Sequence, residues 1–216
     1  AGIRYFKIDF VHILLQAKRL HDPSKGPYEA IADLCKLVRE CVGEESFILG
    51  CGIPKQCGPG IVDAGRIGVD IHNHWSHVTW AMEGVVRSYW AHNRIWINDP
   101  DFLVVRGSDT SSEKVNNVTN FCANKPNATR WRSGPDFGYE EAKSWASICL
   151  MCGGSIISSD LLSVLNEKGM DIIRKCMKAS TGISAEPLDI CEGPLPALWL
   201  QKLPEETRLT VFNWSD

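Results

Sequence analysis

The sequence predicts an α/β fold built on a parallel sheet, closing with the first strands of an all-β domain. Three observations carry this. Short apolar runs alternate with segments of helical periodicity over most of the chain, the pattern of successive βα units. Polar and charged residues collect where the apolar runs end. Beyond about residue 180 the helical periodicity gives way to two strand-like runs joined by polar turns. Such βα units fit either a doubly wound sheet or part of an eight-stranded barrel. No Gly-rich phosphate loop follows the first run, which argues against dinucleotide binding.

The elements follow in order. Residues 4–9 read as a strand. Pro27 opens a helix whose Ile31, Leu34, Val38 and Cys41 keep helical spacing, and Gly43 stops it. Residues 46–51 are a second strand, followed by a Gly/Pro-rich loop over 52–60. Residues 66–70 are a third strand, and the helix after it carries Val78, Met82, Val85, Tyr89 and Trp90 on one face. Residues 95–98 form a fourth strand. The polar stretch 107–137 has no periodicity and reads as an inserted surface loop. Residues 139–151 are helical, 155–158 a fifth strand and 161–177 the last helix. The strand-like runs 198–201 and 210–213 begin the β domain. The expected domains are therefore 1–180 and 181–216.

Composition narrows the function. Of 216 residues, 44% are apolar and 23% charged, values of an ordinary globular chain. With 23 Lys and Arg against 26 Asp and Glu, the net charge is −3. That balance argues against nucleic acid or an anionic membrane as partner, since both call for a basic face. No apolar run reaches the roughly 18 residues of a membrane-spanning helix. The chain opens on a strand with no initiator Met or signal-peptide pattern and closes on another, so a segment of a longer protein is expected. Of nine cysteines, at least one is unpaired in any intramolecular disulfide scheme. Cys35, Cys41, Cys149, Cys152 and Cys176 lie within apolar patterns and read as buried small hydrophobes. Cys149 and Cys152 have zinc or redox spacing, but no second Cys/His pair accompanies them. Sequons at Asn117, Asn127 and Asn213 favour a secreted protein, with the cytoplasm as the other compartment.

The strand ends hold the chemistry. In parallel βα architectures the C-terminal ends of the strands line the active site. Here they carry Lys7 and Asp9, then Cys51, then Arg66 and Asp70, then Asp99 and Asp101, then Asp160. Lys7 and Asp9 are two apart and share a strand face, so the lysine keeps the carboxylate ionised as a nucleophile requires. Arg66 and Asp70 share a face if their strand is regular. Two carboxylates on neighbouring strand ends suit glycoside hydrolysis, one as nucleophile and one as acid, then base. The alternative is that Asp9 and Asp70 merely cap the helices that follow. His72, His74 and His77 form a rival constellation, three imidazoles near carboxylates that could ligate a metal. Trp75 could serve as a platform for a sugar ring or pack in the interior.

The strings YFKIDF (5–10), FILGCG (47–52), RIGVD (66–70) and WINDPD (96–101) together resemble the retaining α-galactosidases of glycoside hydrolase family 36, the melibiase group. They occur in that family's order and at about its spacing. The resemblance implies a (β/α)8 barrel whose strands four to eight lie in this chain, followed by the start of a C-terminal β-sandwich domain. It implies Asp9 as nucleophile and Asp70 as acid/base. Lys7, Cys51 and Arg66 would line the galactose subsite, with Asp99 and Asp101 supporting them from behind. No metal or organic cofactor is implied, and the partners are α-galactoside oligosaccharides or glycoconjugates. An α-N-acetylgalactosaminidase, a raffinose- or stachyose-type galactosyltransferase and an inactive carbohydrate-binding fragment are the alternatives. The three histidines after Asp70 and the length of the 107–137 insertion depart from the family pattern. A barrel lacking its first three strands would leave an exposed sheet edge or self-associate into a homo-oligomer.

Overall fold

The computed structural model describes residues 2–112 and 135–214. The chain packs as two compact units, one of residues 1–66 and 91–99, the other of residues 67–90 and 100–216.

The first unit is a parallel sheet backed by a helix. Its strands are β1 (Tyr5–Ile8), β2 (Phe47–Gly50), β3 (Ala64–Arg66) and β4 (Ile97–Asp99), in the order β1-β2-β3-β4. Helix α1 (Pro27–Val42) begins as expected, with Pro27 in the first turn and Glu29 Oε2 accepting the Gly26 N–H at 2.7 Å. It ends at Gly43, whose φ of 81° is readily adopted by glycine alone. Ile31 and Cys35 of α1 are fully buried against Ile48, Val62 and Trp96. Cys41, expected on this face, is exposed. A residue eleven positions after Ile31 returns to the buried stripe, so Val42 takes that place. At the other end of the sheet, Arg39 of α1 meets Asp63 Oδ2 at 2.6 Å and donates to the carbonyls of Ser46 and Ile61. Asp63 also accepts the Ile48 N–H, so one carboxylate fixes the start of β3 to β2 and α1. The Trp96 ring lies against Gly65 so closely that a Cβ there would come within 2.2 Å of it.

The second unit holds helices α2 (Trp75–Val86), α3 (Tyr139–Met151) and α4 (Glu167–Ala179) and an antiparallel sheet. The sheet consists of β5 (Glu186–Pro187), β6 (Leu198–Lys202) and β7 (Thr207–Val211), in that order. Val78, Met82 and Val85 of α2 pack with Leu103, Val104, Phe137, Trp145, Ile148 and Trp199. Gly84 lets α2 approach the chain after β3, because a Cβ there would stand 2.1 Å from the Ile67 carbonyl oxygen. Tyr89 packs edge-on to Trp199, whereas Trp90, expected on the same face, is 44% exposed. α3 spans the predicted residues. α4 starts six residues later than predicted, because Asn166 caps it by accepting the Gly169 N–H, and Leu162–Val164 form a separate 3-10 turn.

Two strand expectations are corrected. The third strand is Ala64–Arg66, not 66–70: the β3–β4 ladder ends where Arg66 pairs with Asp99. Pro100 follows and has no N–H to extend a ladder. Residues 155–158 do not form a strand. Ser158 makes one isolated parallel bridge to Leu103, and the chain around Leu103 offers no extended partner. The side chain of Asp160 beyond it is fully buried, accepting the Val105 N–H and pairing with Arg106. The parallel sheet thus has four strands among the described residues. The ends of the 107–137 insertion are pinned side by side by a Gly107–Phe137 bridge. Residues 113–134, with the Asn117 and Asn127 sequons and Cys122, lie outside the described residues, as does Ser215 of the third sequon. Cys35, Cys51, Cys57, Cys149, Cys152 and Cys176 are buried, and Cys41 and Cys191 are exposed. No described helix is long and apolar enough to cross a membrane.

Candidate active site

Strand register assembles the site. Lys7 lies beside Leu49, Leu49 beside Ala64, and Ala64 beside Ile97. Side chains two apart on a strand face the same way. Two residues on, the row therefore becomes Asp9, Cys51, Arg66, Asp99, one residue from each strand end. The pairing continues into it, since Cys51 donates its N–H to the Ile8 carbonyl at 2.7 Å and Arg66 pairs with Asp99. A carboxylate, a thiol, a guanidinium and a second carboxylate thus line up along the C-terminal edge of the sheet.

The row has a buried end and an open end. Arg66 Nε lies 3.4 Å from Asp99 Oδ2, and their side chains are 4% and 6% exposed. Lys7 Nζ lies 3.8 Å from Asp9 Oδ2, with side chains 33% and 41% exposed. Phe10, with a left-handed φ of 58°, turns its N–H onto Asp9 Oδ1 at 2.7 Å. Non-glycine residues in this backbone region cluster at functional sites. Partial burial pushes the Asp9 carboxyl up. The hydrogen bonds from the Cys51 thiol and the Phe10 N–H, with the charges of Lys7 and Arg66, outweigh it, and the pKa falls below its ordinary 3.8. Burial first, and Asp9 with it, pushes the Cys51 thiol up to about 12 against the opposing charge of Arg66, so it stays protonated and donates. The arrangement supplies an ionised, accessible carboxylate flanked by a cation and two hydrogen-bond donors.

The other predicted residues lie in the second unit. Asp70 is exposed and stands beyond β3. The shared strand face expected for Arg66 and Asp70 does not exist, because the strand stops at Arg66. Asp101 is buried, has a φ of 97° and accepts the Ile71 N–H at 2.7 Å. The Trp75 ring packs 5.9 Å from Trp214, which stacks on Phe212 at 5.1 Å. The three histidines pack ring against ring. His72 and His74 set their rings against His77 at 4.9 and 6.1 Å. His74 and His77 direct Nδ1 at the carbonyls of Pro135 and Asp70. Among the described residues no group of three or more His, Cys, Asp or Glu is placed to hold a metal ion.

Sequence reasoning missed Tyr5. It stands two before Lys7 on the same strand face and stacks on Phe47 at 5.2 Å. Burial, then the charge of Asp99, push its phenol up, which couples it to the buried end of the row. The alternation Tyr5-x-Lys7-x-Asp9 was the available signal.

The described residues share their fold with part of solved TIM-barrel structures. One is a family GH27 β-L-arabinopyranosidase from Geobacillus stearothermophilus, in complex with arabinose. It has a TM-score of 0.61 and 11% identity, over 94% of this chain and 44% of that one. Another is an α-galactosidase from Thermus thermophilus in complex with p-nitrophenyl α-D-galactopyranoside. It has a TM-score of 0.58 and 20% identity, over 95% of this chain and 37% of that one. The chain spans less than half the length of these structures. No family model matches it.

Proposed function

We propose that this chain carries the nucleophile-bearing part of a retaining exo-α-galactosidase similar to glycoside hydrolase family 36. The observation that carries the reading is the row Asp9–Cys51–Arg66–Asp99, which holds Asp9 ionised and accessible at the C-terminal edge of a parallel sheet. Asp9 attacks the anomeric carbon while protonated Asp70 donates to the leaving oxygen. Asp70, now a base, then activates water against the galactosyl ester, and two inversions give net retention. Lys7 and Arg66 donate to sugar hydroxyls, Cys51 lines the subsite with its thiol on Asp9, and Asp99 holds Arg66. Trp75 offers an apolar ring face to the substrate. Residues 1–180 are read as barrel and 181–216 as the opening of a β-sandwich domain. The substrates are terminal α-D-galactosides of oligosaccharides or glycoconjugates.

The sugars of the two similar structures, β-L-arabinopyranose and α-D-galactopyranose, share their ring stereochemistry and differ in the C6 hydroxymethyl group. Both p-nitrophenyl glycosides, offered to the full-length protein with the first-formed anomer followed by NMR, test the proposal. Faster hydrolysis of the galactoside with α-galactose as first product is expected. β-Galactose as first product, or turnover of neither glycoside, contradicts it.

A further inference from the structure

The peptide unit joining Asp70 to Ile71 is gripped at both of its polar ends. Its carbonyl oxygen accepts from His77 Nδ1 at 3.1 Å, and its N–H donates to Asp101 Oδ2 at 2.7 Å. A carbonyl only accepts, so Nδ1 of His77 carries a proton. Both gripping side chains are interior groups: His77 is 1% exposed and Asp101 5%. The Asp70 residue itself is exposed. An exposed carboxyl therefore stands on a peptide plane anchored from a buried layer. His77 is in turn fixed by α2 and by the rings of His72 at 4.9 Å and Trp80 at 6.2 Å. Asp101 reaches its position from a φ of 97°, a conformation that persists in a non-glycine residue only where the surroundings enforce it.

We infer that His77 and Asp101 are positioning residues for Asp70, fixing the plane of the Asp70–Ile71 peptide and so the direction in which the Asp70 carboxyl leaves the backbone. This rests on the reading of Asp70 as the acid/base. It gives the histidine-rich segment a role in aiming an acid in place of holding a metal. A general acid acts only on a leaving group that needs a proton, and misplacement by about 1 Å can cost on the order of 100-fold. Loss of the grip should therefore fall on poor leaving groups and spare good ones.

The test uses the full-length protein with His77→Leu, which removes the donor, and His77→Asn, whose amide places an N–H near the position of Nδ1. Asp101→Ala removes the acceptor on the other side. Two quantities are read: exchange of the Ile71 amide hydrogen, and kcat/KM for methyl against 2,4-dinitrophenyl α-galactoside. In His77→Leu and Asp101→Ala the amide should exchange at least ~10-fold faster. Turnover of the methyl glycoside should fall ~10- to 100-fold while that of the dinitrophenyl glycoside stays within about threefold, and His77→Asn should recover most of the loss. Unchanged Ile71 exchange in Asp101→Ala overturns the grip. Equal loss on both glycosides, with the amide released, overturns the positioning role and leaves the proposed activity standing. A wild-type protein inert to both glycosides overturns the activity and the positioning role with it, and the exchange measurement still decides whether the grip exists.

Discussion

Replacing Asp99 by Asn tests the buried end of the row. The substitution keeps shape and removes one charge from a pair whose side chains are 4% and 6% exposed. At the observed 3.4 Å, and with an effective dielectric constant of about 20, the lost attraction is about 5 kcal/mol before solvation is counted. Removing one partner of a buried pair costs about 3–5 kcal/mol in measured systems, because the remaining charge stays out of water. That is a large share of the roughly 5–15 kcal/mol that holds a domain together. Urea unfolding followed by tryptophan fluorescence should show it. With a slope near 2 kcal/mol per molar, the midpoint should drop by about 1.5–2.5 M. Replacing both partners, Arg66→Met with Asp99→Leu, should cost less than the two single changes summed, by at least about 1 kcal/mol. A single-variant cost under about 1 kcal/mol, or strict additivity, would refute the argument that the pair is a coupled buried unit.

Further outcomes follow from the same geometry. The Asp9 pKa lies below 3.8 when folded, so the carboxylate stays ionised as pH falls toward that value and protonates only beneath it. Its favourable contribution is present above the unfolded pKa and lost on acidification through the folded one. The acid limb of kcat/KM set by Asp9 should thus lie below 3.8, and Cys51→Ala, which removes a hydrogen bond to the carboxylate, should move it upward. An acid limb near pH 6 unmoved by that change would contradict the assignment. Iodoacetamide at neutral pH should label the exposed Cys41 and Cys191 and spare Cys51, which is buried with its pKa at about 12. Gly84→Ala would gain about 1 kcal/mol of helix propensity in isolation. Here the new Cβ would stand 2.1 Å from the Ile67 carbonyl, and overpacking of about 1–3 kcal/mol should make the variant less stable in a thermal melt.

Much of this was legible in the sequence where local chemistry decides. Pro27 and Gly43 bracket α1, and the periodicity over 139–151 gives α3, because caps and apolar spacing are properties of the segment itself. The two-residue spacing of Lys7 and Asp9 likewise sufficed to put both on one face. What failed depended on partners. The apolar run at 155–158 has strand character, yet only Ser158 finds a bridge. The stretch 66–70 loses its regularity after Arg66, a limit set by β4 and Pro100. Cys41 and Val42 are both apolar neighbours, and only the angle around the helix separates them. The histidines after Asp70 looked like ligands because spacing shows which side chains are near, not where their nitrogens point. In the structure two of those nitrogens point at backbone carbonyls.

The central claim is that Asp9 is the nucleophile, and its most direct test is chemical rescue of Asp9→Ala in the full-length protein. With 2,4-dinitrophenyl α-galactoside alone the variant should lose turnover by several orders of magnitude. Added azide should restore it and leave β-galactosyl azide, the product of a single inversion at the vacated face. Wild-type turnover in Asp9→Ala, or an azide product of α configuration, would contradict the account.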